Sequence, residues 1–327
     1  MKESNNLLYI FIHVPKTGGT TIKNIIYKNF NKDEIIELYQ EENEFLFSIK
    51  EVERYIESIK KTNRNKIKVI IGHDAYYGIH ELFPKKIPRY IVFLREPIQR
   101  LISEYNFQRT LLKRGNYEKL NLIISSNGKA LSFKEFLDDK YNLNNFMTNF
   151  LFSKFKYYKN SGDEMNTNID EIKINIAKKL LDKCYFVGLT ENANDFNFIY
   201  ALLEIEAIVP KQNVSDKFLK RITDRELLNF AKEKNMLDYI VYSYAKSLNK
   251  KFKKNNILYH LFYESLFRVS LKKKMVFYFR YLYQHLCNVF DLTIGEAVGE
   301  SRKAFIVKKV NYFYSSVSKN IKKIRSN

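Results

Sequence analysis

The feature that most limits the fold is a strand, a glycine-bearing loop and a helix written into residues 7–30. Residues 7–14 (LLYIFIHV) form a near-continuous apolar run, the pattern of a parallel strand buried on both faces. Residues 20–30 (TTIKNIIYKNF) place Ile22, Ile25, Ile26 and Phe30 at helical spacing, with Thr20 or Thr21 able to cap. Between them lies His13-Val14-Pro15-Lys16-Thr17-Gly18-Gly19-Thr20-Thr21. A loop that holds a phosphate needs inward backbone N–H groups and a helix N-terminus behind them. Gly18 and Gly19 let the backbone turn and approach closely, Thr20 and Thr21 add hydroxyl donors, and Lys16 adds a mobile positive charge. The plain alternative is a tight turn from strand to helix. Lys before the glycines and Thr-Thr after them favour the phosphate.

Further along, residues 67–71 (IKVII) read as a second strand ending at Gly72-His73, and residues 90–94 (YIVFL) as a third ending at Arg95. Pro97 opens a helix through about Leu112. Residues 185–189 (YFVGL) read as a fourth strand, followed by a helix over 194–205, whereas 33–61 is charged and helical in period. Strands alternating with helices predict an α/β domain built on a mainly parallel sheet. Such sheets bind ligands at the carboxyl ends of their strands. The 15–21 loop, His73 and Arg95 each directly follow a strand. Residues 113–184 are expected to form helices and loops over the site, including a helical stretch at 133–139.

The loop is not Gly-x-x-x-x-Gly-Lys-[Ser/Thr], because its Lys precedes the glycines. Asp74 is the nearest acidic candidate for holding magnesium at a strand end. A nucleotide-dependent sugar or small-molecule kinase therefore stays open as an alternative, as does a non-enzymatic basic protein that binds nucleotide or nucleic acid. Two cysteines, Cys184 and Cys287, set no metal cluster or disulfide framework, and no metal site is expected.

Residues 11–21 resemble the 5′-phosphosulfate loop of sulfotransferases that use 3′-phosphoadenosine 5′-phosphosulfate (PAPS), most of all the carbohydrate group that includes heparan sulfate 2-O-sulfotransferases and bacterial relatives. The resemblance implies that Lys16 contacts the bridging oxygen and sulfuryl group, and that Thr17, Gly18, Gly19, Thr20 and Thr21 surround the 5′-phosphate. It further implies a P-loop-NTPase-like central parallel sheet flanked by helices, with PAPS as co-substrate. Residues 90–107 (YIVFLREPIQRLISEYNF) are similar to the family's 3′-phosphate motif. That likeness implies that Arg95 and Ser103 bind the 3′-phosphate, through bidentate guanidinium and hydroxyl donors. Arg100 either assists or is an exposed salt-bridge partner. A second phosphate subsite ranks sulfuryl transfer above phosphoryl transfer, since ATP has no 3′-phosphate.

The 2-O-sulfotransferase group carries Gly-His where Gly72-His73 stands. His73 is the expected base, because neutral imidazole is competent near pH 7. Some members have a second His just before that Gly. Here Ile71 stands there, so a two-histidine arrangement is not expected. His80 and Glu104 are weaker alternatives, both expected on exposed faces. Residues 145–151 (NFMTNFL) resemble an acceptor-side segment, 213–217 with Lys217 and Lys211 a loop near the nucleotide, and 237–252 the last helix, with Asp238 and Tyr242 in family positions.

The net charge of +20 is uneven. Residues 251–327 hold 16 Lys/Arg against 4 Asp/Glu, a net +12. The expected organisation is a sulfotransferase domain over 1–252 and a basic, aromatic-rich helical extension over 253–327. The extension is a packing appendage, a segment lying on an anionic membrane surface, or a segment that attracts a polyanionic glycan. No nucleic-acid motif accompanies its charge, and the resemblance to carbohydrate sulfotransferases implies a glycan or glycolipid acceptor as partner. The apolar run at 7–14 is too short to span a membrane and no cleavage site follows it, which predicts a cytoplasmic protein, with membrane association through the extension left open.

Overall fold

The computed structural model describes residues 6–39, 48–115, 124, 129–138, 144–158, 168–203 and 218–256. The extension beyond 256, Cys287, Lys211 and the 213–217 loop with Lys217 lie outside them. Strand β1 (Leu7–Ile12) leads through the glycine loop into α1 (Gly19–Asn29). A single 3-10 turn precedes β2 (Ile35–Leu38), and α2 (Ile49–Ser58) and the one-turn α3 (Lys61–Arg64) lead to β3 (Val69–Gly72). Next come β4 (Ile87–Leu94), α4 (Pro97–Lys113), α5 (Phe133–Asp138), α6 (Phe146–Ser153) and α7 (Ile169–Asp182). The chain then forms β5 (Phe186–Leu189), α8 (Ala193–Leu202), α9 (Arg225–Lys234) and α10 (Met236–Asn255).

The described strands form one parallel sheet in the order β2-β3-β1-β4-β5. The α/β expectation holds, with one correction. The 33–61 stretch, expected to be helical, contains β2. Only four residues alternate there: Ile36 and Leu38 are buried and Glu37 is exposed. A short edge strand gives too few repeats to stand out among charged neighbours.

The central strands alternate between two cores, as period-2 geometry requires. Leu8, Ile10, Ile12, Val92 and Leu94 face one layer with Met147 and Leu151 of α6, Ala177 and Leu180 of α7, and Val241 and Ala245 of α10. Tyr9, Phe11, Ile71, Ile91 and Phe93 face the other, with Ile22, Ile25 and Ile26 of α1 and Phe198 and Ile199 of α8. A third cluster joins α4 through Leu101, Ile102 and Tyr105 to Phe133 and Phe136 of α5 and to Ala231 of α9. Burying each Ile of α1 contributes roughly 1.5–3 kcal/mol. The α6 and α7 part of 113–184 therefore supports the sheet rather than lying loosely over the site.

Asp238 is a buried joint. Its carboxylate accepts from the backbone N–H of Met147 (3.1 Å) and of Thr148 (2.8 Å) and from the Thr148 hydroxyl (2.8 Å), so α10 caps the N-terminus of α6.

The pairing of β2 with β3 depends on Gly72. A Cβ there would lie 2.0 Å from the Leu38 carbonyl oxygen, a backbone atom that cannot step aside. Gly72→Ala is expected to cost about 3 kcal/mol, the upper end of ordinary overpacking, read as a fall in urea midpoint. An unchanged midpoint would show that the edge strand shifts freely.

Candidate active site

The parallel register brings the site together. Ile12 pairs with Gly72 and with Val92, so the loop after β1, His73 after β3 and Arg95 after β4 meet at the carboxyl edge of the sheet.

The loop leaves β1 with the His13 N–H donating to the Gly72 carbonyl at 3.1 Å. The buried Thr17 hydroxyl donates to the Val14 carbonyl at 2.7 Å, which fixes the turn. Lys16 (φ 69°) and Gly18 (φ 86°) are both left-handed. A Cβ on Gly18 would also lie 2.4 Å from the Phe196 ring. Gly18 caps α1 without a side-chain hydrogen bond, and no acidic residue occupies the first turn. An uncapped helix start with no carboxylate in its own first turn suits an anion.

Cations gather around that start. The Arg95 guanidinium donates to the Lys16 carbonyl at 3.4 Å. The Lys16 ammonium lies 3.7 Å from the centroid of the Phe107 ring. Its pKa is lowered, first by burial, with Arg95 and Arg100 adding to the shift and Glu104 opposing it. Ser103 is half-buried on α4, one turn from both Arg100 and Phe107, on the helix face that meets Lys16. Thr21 is half-buried and Thr20 exposed.

Two residues are more buried than an exposed helix face allows: Arg100, for which exposure is one of two readings, and Glu104, which is expected to be exposed. Arg100 is only 1% exposed, lies 4.4 Å over the Phe146 ring, and has both terminal nitrogens buried without a hydrogen-bond partner among the described residues. Burial depresses its pKa, while Glu104 and Asp238 oppose that shift. Glu104 is 6% exposed and accepts from the Gln108 amide at 2.9 Å. Arg100 is covered by Phe146 of α6, Glu104 lies on the side of α4 near Lys16 and His73, and the α5 and α9 cluster covers the helix on another side.

His73 is held by its Nδ1, 2.7 Å from the His13 carbonyl oxygen. A carbonyl can only accept, so Nδ1 carries the hydrogen and Nε2 is left with a free lone pair. Burial lowers the His73 pKa, opposed by this hydrogen bond and by Asp74. The ring is therefore neutral near pH 7.

A second histidine stands beside it, against expectation. The His13 ring stacks on His73 with centroids 4.4 Å apart and planes inclined by 28°. Its Nδ1 is 2.9 Å from the Tyr39 hydroxyl. Burial, then His73, Lys23 and Lys16, push its pKa down to about 3. The sequence carried a signal for this pair. Each histidine directly follows one of two adjacent parallel strands, and the look-alike position before Gly72 was the wrong place to seek it.

The alternatives are tied elsewhere. His80 Nδ1 is 2.8 Å from the Tyr90 hydroxyl. Asp74, the magnesium candidate, is buried and bound to the Lys154 ammonium at 3.1 Å. Among the described residues no group of three or more His, Cys, Asp or Glu is arranged to hold a metal.

The family model described as "Sulfotransferase family" matches residues 1–248. Heparan sulfate 2-O-sulfotransferase 1 of Mus musculus is 31% identical over 111 residues, 33% of this chain and 31% of that protein. The same-named protein of Homo sapiens is 25% identical over 218 residues, 64% of this chain and 57% of its own length. The chain thus spans between about a third and somewhat over half of these relatives. A crystal structure of a sulfotransferase from Alicyclobacillus acidocaldarius overlays 75% of this chain and 96% of its own, at 13% identity and a TM-score of 0.38, too loosely to carry an argument.

The depressed His13 pKa has a consequence for stability. Below the ordinary histidine value of about 6.5 the unfolded chain binds a proton that the folded His13 refuses. Stability is then complete above that pH and is lost as pH falls toward about 3. His73 acts in the same direction. His13→Phe is expected to lose less stability than the parent between pH 6.5 and 5, a window above most carboxylate titration, measured by urea midpoints. Parallel losses in the two proteins would refute the assignment.

Proposed function

The chain belongs to the sulfotransferase family, and we propose that it moves the sulfuryl group of PAPS to a hydroxyl of a carbohydrate acceptor. The observation that carries this reading is the arrangement at one sheet edge: a lysine in an uncapped glycine loop, an arginine fastened to that loop, and a histidine with its Nε2 lone pair free.

The residues present fit the donor. PAPS bears a phosphosulfate and a 3′-phosphate, and Lys16 of the loop and the Arg95 fastened to it stand at a helix start with no acidic residue in its first turn. The two partnerless Arg100 nitrogens also fit an anionic ligand, because a buried guanidinium is costly until it is paired. Lys16, Thr17, Gly18, Gly19, Thr20 and Thr21 are assigned to the phosphosulfate end, and Arg95 and Ser103 to the 3′-phosphate. The donor is a co-substrate that supplies the sulfuryl group.

Transfer is an in-line displacement whose cost lies mainly in positioning and charge stabilisation. His73 Nε2 takes the acceptor's hydroxyl proton as its oxygen bonds to sulfur. The bond from sulfur to the 5′-phosphate oxygen breaks and leaves its electron pair on that oxygen. Lys16, turned inward by its left-handed backbone and steadied over Phe107, offsets the charge gathering there. The products are a sulfate ester and 3′-phosphoadenosine 5′-phosphate. The names of the relatives speak of heparan sulfate, which supports a glycan as the acceptor class. A kinase is disfavoured because Asp74 is engaged by Lys154.

Thermal stabilisation separates the readings, since a ligand stabilises according to its affinity for the native state. 3′-Phosphoadenosine 5′-phosphate is expected to outperform ATP and AMP clearly, and Arg95→Ala to remove the advantage. Equal shifts from all three would sink the PAPS assignment. His73→Ala is expected to cut turnover by about 10²–10⁴-fold, the usual worth of a general base, with the ligand's thermal shift intact. Near-normal turnover in that variant would exclude His73 as the base.

A further inference from the structure

We propose that His13 is a positioning residue that fixes the ring of His73 and couples it to the phosphate loop. The proposal rests on the assignment of His73 as base made above, and it adds a residue that lies within the loop motif but outside the donor contacts.

Five contacts carry it. The His13 carbonyl accepts from His73 Nδ1 at 2.7 Å, which selects the tautomer. The His13 ring stacks on His73 at 4.4 Å, which limits rotation of that ring. The Tyr39 hydroxyl holds His13 Nδ1 at 2.9 Å, and the Tyr39 ring meets His73 edge-on at 5.0 Å and 89°. On its other side His13 lies against Gly19, where a Cβ would come within 1.8 Å of Cε1 and Nε2. The ring is thus wedged between the first residue of α1 and the base. A shift of the Gly18-Gly19 backbone reaches His73 through one side chain.

Charge supports the same role. Lys16 and Lys23 face His13, and Lys23 in turn pairs with Glu37 of β2 at 3.1 Å. Asp74, Lys154 and Glu104 face His73. A neutral His13 leaves only one imidazole to charge when a proton arrives. Two imidazolium rings 4.4 Å apart would repel each other.

The test needs no acceptor. The His73 ring nitrogens are followed by ¹⁵N imidazole NMR, assigned by the signals lost in His73→Gln, with and without 3′-phosphoadenosine 5′-phosphate. The parent is expected to show one Nδ1–H tautomer, and its signals to move when the nucleotide is added. His13→Ala keeps the carbonyl and removes the wedge. It is expected to broaden or mix the tautomers, to raise the His73 midpoint by about half a pH unit or more as water enters, and to weaken the response to nucleotide. His13→Phe restores a neutral flat ring and is expected to recover the parent tautomer. It also serves if the alanine variant does not fold. An unchanged His73 tautomer and midpoint in His13→Ala would overturn the proposal, as would a failure of folded His13→Phe to hold the tautomer. If nucleotide binds no variant and not the parent, the PAPS reading fails, while the tautomer and midpoint of the nucleotide-free protein still decide the role of His13.

Discussion

The parallel pairing of β1 with β3 and β4 is the constraint on which the site depends. Backbone hydrogen bonds hold Ile12 opposite Gly72 and Val92. One residue beyond that register β1 and β3 end, while β4 runs on to Leu94 before leaving the sheet. His13, His73 and Arg95 occupy those positions or lie close to them. A slip of one residue would turn each strand's inward face outward and would separate the two imidazoles. The alternating cores on the two faces, Leu8-Ile10-Ile12 on one and Tyr9-Phe11 on the other, therefore do more than stabilise the sheet. They lock the register that builds the histidine pair.

Much of this was legible in the sequence, for reasons that can be named. The strands β1, β3 and β4 are continuous apolar runs, and each ends at a residue type that does not belong in a core. The lysine, two glycines and two threonines between β1 and α1 form a pattern with few structural uses. What stayed hidden depended on distance in the chain. Glu104 sits in a stretch that looks like an exposed helix face until the glycine loop and His73 are brought beside it. Arg100 reads equally as a surface ion-pair partner, and its burial beneath Phe146 depends on α6 being brought in from 46 residues away. β2 is too short to show its period. The His13–His73 stack was half visible: each histidine stands at the end of an apolar run, but their contact follows only from the strand order.

The joint at Asp238 extends the argument from the sheet edge to the helices. The aspartate is buried and lies near Arg100, yet its hydrogen bonds go to the N-terminus of α6. It satisfies orphan backbone donors that no water can reach, and burial raises its pKa against those same bonds. The guanidinium of Arg100 thus senses the Asp238 charge without donating a hydrogen bond to it. An arginine in that position is held between α4 and α6 by electrostatics and the Phe146 face, and its donor directions stay available.

Burial acts on the site's cations and bases with one sign and two consequences. It lowers the pKa of Lys16, Arg95 and Arg100, which measures how poorly their charge is solvated before an anion arrives. It lowers the pKa of His13 and His73 as well, which keeps both rings neutral. The same exclusion of water that makes the cation cluster receptive to an anion keeps the imidazole able to accept a proton. Exposed cations would attract the anion more weakly, through screening, and an exposed imidazole would spend part of its time protonated. The Lys16–Phe107 contact and the His73–His13 hydrogen bond are two parts of one arrangement, in which polar groups are desolvated and their orientation is set by neighbours that do not neutralise them.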